Sequence, residues 1–281
     1  MQVFHTIQDL RKNLATLHLQ GKSIGFVPTM GALHQGHLEL VKRAMQENDC
    51  VVCSIYVNPT QFNNPEDLAK YPRILEEDKI MLQNMGCHIL FAPTDAEMYP
   101  KPTQTKFQFG NLEMVMEGKF RAGHFNGVAT VVSKLFHIVM PHKAYFGQKD
   151  LQQYLIIKSL VEDLAFPIEL VCCPIVRESN GLAMSSRNRR LSSHEQEIAA
   201  HLFKALKIAE KQLKNASISQ IKTNVTEYLA QIPEIEVEYF EIVDAENLAS
   251  IELPTPKAIA FCIAAFVGGV RLIDNILVFN D

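Results

Sequence analysis

Two histidines three residues apart, His34 and His37, stand in the run Pro28-Thr29-Met30-Gly31-Ala32-Leu33-His34-Gln35-Gly36-His37. On a helix that spacing puts both imidazoles on one face, where each can donate a hydrogen bond to a phosphate oxygen. Gly31 and Gly36 would let a ligand approach the main chain closely. A His-x-x-His pair could also ligate a metal. Zinc is the weaker reading, because no third and fourth Cys or His stands at suitable spacing and His-Glu-x-x-His does not occur. Gly-x-Gly-x-x-Gly is missing too, so the run is not a dinucleotide fingerprint. The remaining chemistry is that of a nucleotide phosphate held by histidines in place of a P-loop lysine.

Two later runs carry the same kind of chemistry. In Phe146-Gly147-Gln148-Lys149-Asp150 a lysine follows an apolar strand and a glycine, so Lys149 can hold phosphates as a point charge while Asp150 serves as an N-cap. In Met184-Ser185-Ser186-Arg187-Asn188 two hydroxyls and a guanidinium precede a helix that Ser192 or Ser193 would cap. Asn58 and Gln61 lie on a proline-containing turn and could be turn formers alone.

The elements that must position these residues follow from periodicity. Ile24–Val27 reads as a short buried strand, and Leu38, Val41 and Met45 recur at helical spacing, so a helix begins near Gly36. Its first turn is expected to offer free backbone N–H groups and a positive dipole end, an anion site built into the backbone. Further strand-like runs at residues 50–57, 88–91, 144–146 and 170–175 alternate with helical stretches. This pattern predicts an α/β fold with a Rossmann-like, doubly wound parallel sheet. Ligands of such sheets sit at the carboxyl ends of the strands, where His34 and His37, then Asn58 and Gln61, then Gly147, Lys149 and Asp150 all fall.

Residues 1–19 read as one amphipathic helix, and residues 93–108 as a long loop. Beyond Arg177 the texture changes. Helical stretches at 193–214 and 219–231 precede strands at 235–243, 257–266 and 271–279, with Gly268-Gly269 as a hairpin turn. The expected organisation is a Rossmann-like, phosphate-binding domain over 1–176 and a smaller α+β lid domain over 177–281.

Together the motifs resemble the His-x-Gly-His nucleotidyltransferase superfamily and, within it, the pantoate–β-alanine ligase family. The resemblance rests on the His34–His37 run, Val57-Asn58-Pro59-Thr60-Gln61-Phe62, Tyr71-Pro72-Arg73, Arg121-Ala122-Gly123-His124-Phe125, Phe146 to Gln153 and Met184 to Asn188, in the family's order. It implies an acid–amine ligase that makes pantothenate from pantoate, β-alanine and Mg2+-bound ATP, through pantoyl adenylate, releasing AMP and pyrophosphate. It implies ATP contacts from Met30, Gly31, Ala32, Leu33, His34, Gln35, Gly36, His37, Gly147, Gln148, Lys149, Asp150, Val176, Met184, Ser185, Ser186 and Arg187. His37, His34, Lys149 and Arg187 would be catalytic, Gln61 would touch pantoate and β-alanine, Gln153 pantoate, Asn58 substrate, and Arg121 would lie near the phosphates. The chain departs from the family's frequent residues at Asn63, Ile74 and Ala122, none of them a reacting group. Another nucleotidyltransferase of this fold, or a silent ATP-binding regulator, stays open at this level. The resemblance further implies a homodimer.

Bulk properties agree with an enzyme of small molecules. The chain has 281 residues, 47% hydrophobic and 21% charged, with a net charge of −4, which argues against a generic nucleic-acid surface. The longest apolar run, residues 258–270, is too short to span a bilayer. No export signal opens the sequence, so a cytoplasmic protein without membrane partners is expected. The six cysteines fall in strand-like runs and read as buried thiols.

Overall fold

The structure, a computed structural model, describes residues 1–279. In chain order the first part contains β1 (Gln2–Phe4), α1 (Ile7–Leu19), β2 (Ile24–Thr29), α2 (Gln35–Glu47) and β3 (Cys50–Ile55). It continues with α3 (Pro65–Lys70), α4 (Leu75–Met85), β4 (Ile89–Phe91), α5 (Asp95–Met98), α6 (Met116–Phe120) and α7 (His124–Val139). Next come β5 (Lys143–Gly147), α8 (Leu151–Asp163) and β6 (Glu169–Cys173). The remainder holds α9 (Ser193–Ala199), α10 (His201–Gln212), α11 (Ile218–Ala230), β7 (Ile235–Asp244), β8 (Ala258–Val267) and β9 (Val270–Phe279).

The chain forms two compact units. The first comprises Met1–Gly147 and Ile156–Cys173, the second Gln148–Leu155 and the chain from Pro174 onward. In the first unit six strands pair in the order β1-β4-β3-β2-β5-β6, all parallel. The expected α/β parallel sheet is therefore present. Its strand order reverses direction at β2: β3 and β4 are laid down on one side, β5 and β6 on the other. The crevice at the carboxyl ends of β2 and β5 is thus a topological switch point, the place where open α/β sheets bind ligands.

The middle strands read as unbroken apolar runs because both faces of a parallel sheet are covered. Residues 50–55 of β3 are all buried. On one face β3 packs with Leu40, Val41 and Ala44 of α2 and Leu82 of α4. The cysteines are free thiols, five buried and Cys172 half-buried. Burial pushes the Cys87 and Cys172 thiols up to about 11, so packing is their role.

In the second unit β7, β8 and β9 form an antiparallel sheet. The hairpin between β8 and β9 turns at Gly268 and Gly269, with φ of 56° and 70°, the paired left-handed geometry that a two-residue turn demands. Ile259, Phe261, Ile263 and Ala265 of β8 pack with Leu202, Leu206 and Ala209 of α10 and with Ile221 and Val225 of α11.

Two expectations are corrected. Residues 1–19 are not one helix: Gln2–Phe4 pair with Ile89–Phe91, and α1 starts only after Thr6, whose side chain accepts the Asp9 N–H. A three-residue strand is too short to show a period of its own. The stretch 193–214 is likewise two helices that meet at Ala200, with Ser192 and Glu195 forming a capping box at its start.

Candidate active site

The turn from β2 into α2 is held by four separate grips. Thr29 Oγ1 donates to the Ser54 carbonyl at 2.7 Å and accepts the Gly31 N–H at 3.2 Å. Asp78, in the first turn of α4, accepts the Ala32 N–H at 2.8 Å and the Leu33 N–H at 2.7 Å, one on each oxygen. His37 Nδ1 accepts the His34 N–H at 3.3 Å, and His34 Nδ1 accepts the Gly36 N–H at 3.1 Å. The two rings lie 4.0 Å apart, centroid to centroid.

This geometry revises the expected anion site. The N–H groups of Gly31, Ala32, Leu33 and His34 before the helix and of Gly36 in its first turn already have protein acceptors. What the turn presents instead is two imidazoles in a set tautomer. A neutral ring that accepts at Nδ1 carries its proton on Nε2 and can donate only from there. His34 is the N-cap of α2, a place usually taken by Ser, Thr, Asp or Asn, and the helix dipole adds positive potential beside both rings.

Gly31 is needed for a steric reason as well as for its φ of 79°. A Cβ there would stand 2.9 Å from both Asp78 Oδ2 and Ile55 Cγ2. Asp78 is fully buried. Its charge is tolerated because two N–H groups and the N-terminal turn of α4 offset the lost hydration. Nothing in the local sequence marks it: it closes the acidic run Glu76-Glu77-Asp78, which reads as an ordinary helix start.

After β3, Pro59–Gln61 form a 3-10 turn. Asn58 is 1% exposed. Its Nδ2 donates to Gln61 Oε1 at 3.0 Å and to the Gly127 carbonyl at 3.2 Å, and its Oδ1 accepts from Tyr99 Oη at 2.8 Å and Thr60 Oγ1 at 3.0 Å. That side chain is saturated within the protein. Gln61 is 7% exposed, and its Nε2 lies 3.2 Å from Met30 Sδ, so the fold brings this amide against the β2–α2 turn. His124 Nδ1 donates to the Gln61 carbonyl at 2.7 Å and so carries the tautomer opposite to that of His34 and His37. Behind it α7 comes so close that a Cβ on Gly127 would meet the Thr60 carbonyl oxygen at 2.3 Å. Arg121 pairs with Glu117 at 3.5 Å.

The other candidates lie in the second unit, apart from Gly147 at the end of β5. Gln148–Asp150 form a 3-10 turn, and Lys149 Nζ lies 3.6 Å from Asp150 Oδ1. Gln153 is half-buried on α8. The Val176 carbonyl accepts the Met184 N–H at 3.0 Å. Ser185 caps a 3-10 turn over Ser186–Arg190, its Oγ accepting the Arg187 N–H at 3.3 Å. Ser186 is buried, and Met184, Ser185 and Arg187 are half-buried.

Residues 2–277 match the family model described as pantoate-beta-alanine ligase. The chain belongs to the pantoate-beta-alanine ligase family. A pantothenate synthetase of Cytophaga hutchinsonii is 53% identical over 97% of this chain and 98% of its own, and one of Bacteroides fragilis is 49% identical over 98% of each. Among solved structures, pantothenate synthetase of Thermus thermophilus superposes with a TM-score of 0.94 at 42% identity over the whole of both chains. Pantoate-beta-alanine ligase of Francisella tularensis, solved as a complex with β-γ ATP and β-alanine, gives 0.82 at 35% identity over 99% of this chain and 97% of that one. As a ligase of this family the chain is an enzyme with the family's fold, a parallel α/β sheet and a small antiparallel domain.

Ile74 precedes α4 and gives it no side-chain cap, so the helix that carries Asp78 starts without the hydrogen bond that a Ser, Thr, Asp or Asn at this place could supply.

Proposed function

We propose that this ligase adenylates pantoate and then transfers the pantoyl group to β-alanine. A pantoate carboxylate oxygen attacks the α-phosphorus of Mg2+-bound ATP as the bond to the β-phosphate bridging oxygen breaks, and pyrophosphate leaves with that electron pair. The β-alanine amine then attacks the acyl carbon, AMP leaves with the carbon–oxygen bond pair, and the amine proton is lost to solvent. In-line phosphoryl transfer asks the protein for positioning and charge neutralisation. His34 and His37 supply directed Nε2–H donors, and Lys149 and Arg187 supply charge. Met30–His37, Gly147–Asp150, Val176 and Met184–Arg187 are assigned to ATP, and Gln153 and Gln61 to pantoate, Gln61 also to β-alanine. Asn58 is assigned to this pocket through its grip on Gln61.

Mg2+ enters this reading as part of the nucleotide. Among the described residues no group of three His, Cys, Asp or Glu side chains is placed to hold a metal, and Mg2+ commonly takes phosphate oxygens and water as ligands. Residues 1–176 are read as the ATP/pantoate-binding domain and 177–281 as a lid. Among the described residues no helix is long and apolar enough to cross a membrane, and a cytoplasmic homodimer completes the proposal.

The observation that carries this reading is the reciprocally capped histidine pair at the carboxyl end of β2, on the switch point of the sheet. The test is pantoate-dependent exchange of labelled pyrophosphate into ATP without β-alanine. Exchange is expected. Its absence, with ATP still bound, would overturn the adenylate route.

A further inference from the structure

Asn275 occupies the interior of β9 between Asp274 and Ile276, and it is 2% exposed. Asparagine is a poor strand residue, and a buried one must satisfy its whole amide. Here the Nδ2 donates to the Gln148 and Lys149 carbonyls, both at 3.0 Å, and the Oδ1 accepts from Gln148 Nε2 at 3.1 Å. Carbonyls only accept, so this amide has one possible orientation. One side chain thereby clamps two consecutive peptides of the turn that carries Lys149, 126 residues away in the chain.

Asn275 is itself held from behind. Its N–H donates to Asp274 Oδ1 at 2.7 Å, and Arg177 grips Asp274 with both terminal nitrogens, at 2.6 and 2.9 Å. Arg177 also donates to the Asn275 carbonyl at 3.2 Å and the Gly181 carbonyl at 3.1 Å, and its guanidinium stacks 3.8 Å from the Phe203 ring centroid. Asp274 is 4% exposed. A paired carboxylate at the depth of Asp274 adds little net stability because the charge loses its water, so apolar residues at 274 and 275 in the interior of β9 would serve packing as well. Positions that break a local rule without a gain in packing tend to serve a site. This one ends on the Gln148–Asp150 turn and on Arg177, next to Val176.

We propose that Asn275, backed by Asp274 and Arg177, is a positioning residue that fixes the Lys149 turn for ATP. The inference rests on the assignment of Lys149 to the ATP phosphates. Without the clamp the turn relaxes and Lys149 loses its fixed place, although its charge remains.

Pyrophosphate exchange and steady-state turnover of Asn275→Ala, Asn275→Ser, Lys149→Ala and the Asn275→Ala/Lys149→Ala double variant test this. Asn275→Ala should lower kcat/KM for ATP by about 10- to 100-fold with the KM for β-alanine unchanged, and Asn275→Ser, which keeps one donor, should fall between it and the parent. The double variant should be no worse than Lys149→Ala alone. Equal losses toward all three substrates, or full additivity in the double variant, would mean a merely structural role and overturn the proposal. If Lys149→Ala impairs ATP use while a folded Asn275→Ser and Asn275→Ala do not, the clamp is refuted and the Lys149 assignment stands. If Lys149→Ala leaves ATP use unchanged, the assignment itself fails and takes the clamp with it. Should Asn275→Ala not fold, the serine variant alone carries the comparison.

Discussion

His34 and His37 cap one another: His37 Nδ1 takes the His34 N–H, while His34 Nδ1 takes the N–H of Gly36 and its carbonyl receives that of His37. Each ring is tied by one nitrogen to the helix start, so its other nitrogen is the donor. Full protonation of either ring would destroy its capping bond. In the proposed reaction these histidines serve as directed donors to charge growing on phosphate. His37→Ala should fold, losing about 1 kcal/mol for the cap, and should slow adenylate formation by roughly 10²–10⁴-fold. Pyrophosphate exchange measures this, and a rate near that of the parent would remove His37 from the mechanism.

Asp78 shapes the same turn from a different helix. Asp78→Ala leaves the Ala32 and Leu33 N–H groups buried without their acceptors, at about 1–3 kcal/mol each, so urea unfolding should show a loss of roughly 2–6 kcal/mol. Asp78→Asn keeps the shape but only one acceptor oxygen, and should lose about half as much. An asparagine variant as stable as the parent would show that the paired carboxylate oxygens are not what holds the turn.

The pantoate site is assigned neutral amides for a chemical reason. The substrate carboxylate is the nucleophile, and a bidentate arginine would stabilise the ground-state charge that the transition state must give up. Gln153→Ala should chiefly raise the KM for pantoate. Gln153→Arg should bind pantoate yet lose turnover, read by titration and single-turnover adenylation. An arginine variant that adenylates at the parent rate would contradict this account of an uncharged pocket.

Acid should loosen the base of the sheet through Asp49. Its carboxylate accepts the N–H and Oγ–H of Ser23 at 2.9 and 2.8 Å. The Ser23 N–H bond, then the hydroxyl bond and Lys22, lower its pKa from 3.8 to about 2. A depressed carboxylate stabilises the fold above its ordinary pKa, and that stabilisation is lost as pH falls through the folded value. The stability difference between the parent and Asp49→Asn should therefore shrink progressively from about pH 5 to about pH 1. A difference that stays constant across that window would rule out this contribution.

Local pattern was enough to read the strand–turn–helix at His34, the β/α alternation, the hairpin at Gly268-Gly269 and the burial of the cysteines. Each is written in residues close together: a period of two or 3.6, a cap, a pair of glycines. The candidate side chains stand where local pattern put them: His34 caps α2 and His37 lies in its first turn, while Lys149 and Arg187 sit on short 3-10 turns.

Tertiary structure alone decided what those side chains rest on. β1 is three residues long and exists as a strand because Ile89–Phe91 pair with it. Asp78 reaches the Ala32 and Leu33 N–H groups across 46 and 45 residues, and so engages two of the amides of the turn that precedes α2. Asn275 reaches the Lys149 carbonyl across 126. Hydrogen bonds of this kind leave no periodic trace. They depend on which helix packs behind which loop, and that is settled only when distant apolar faces are buried together.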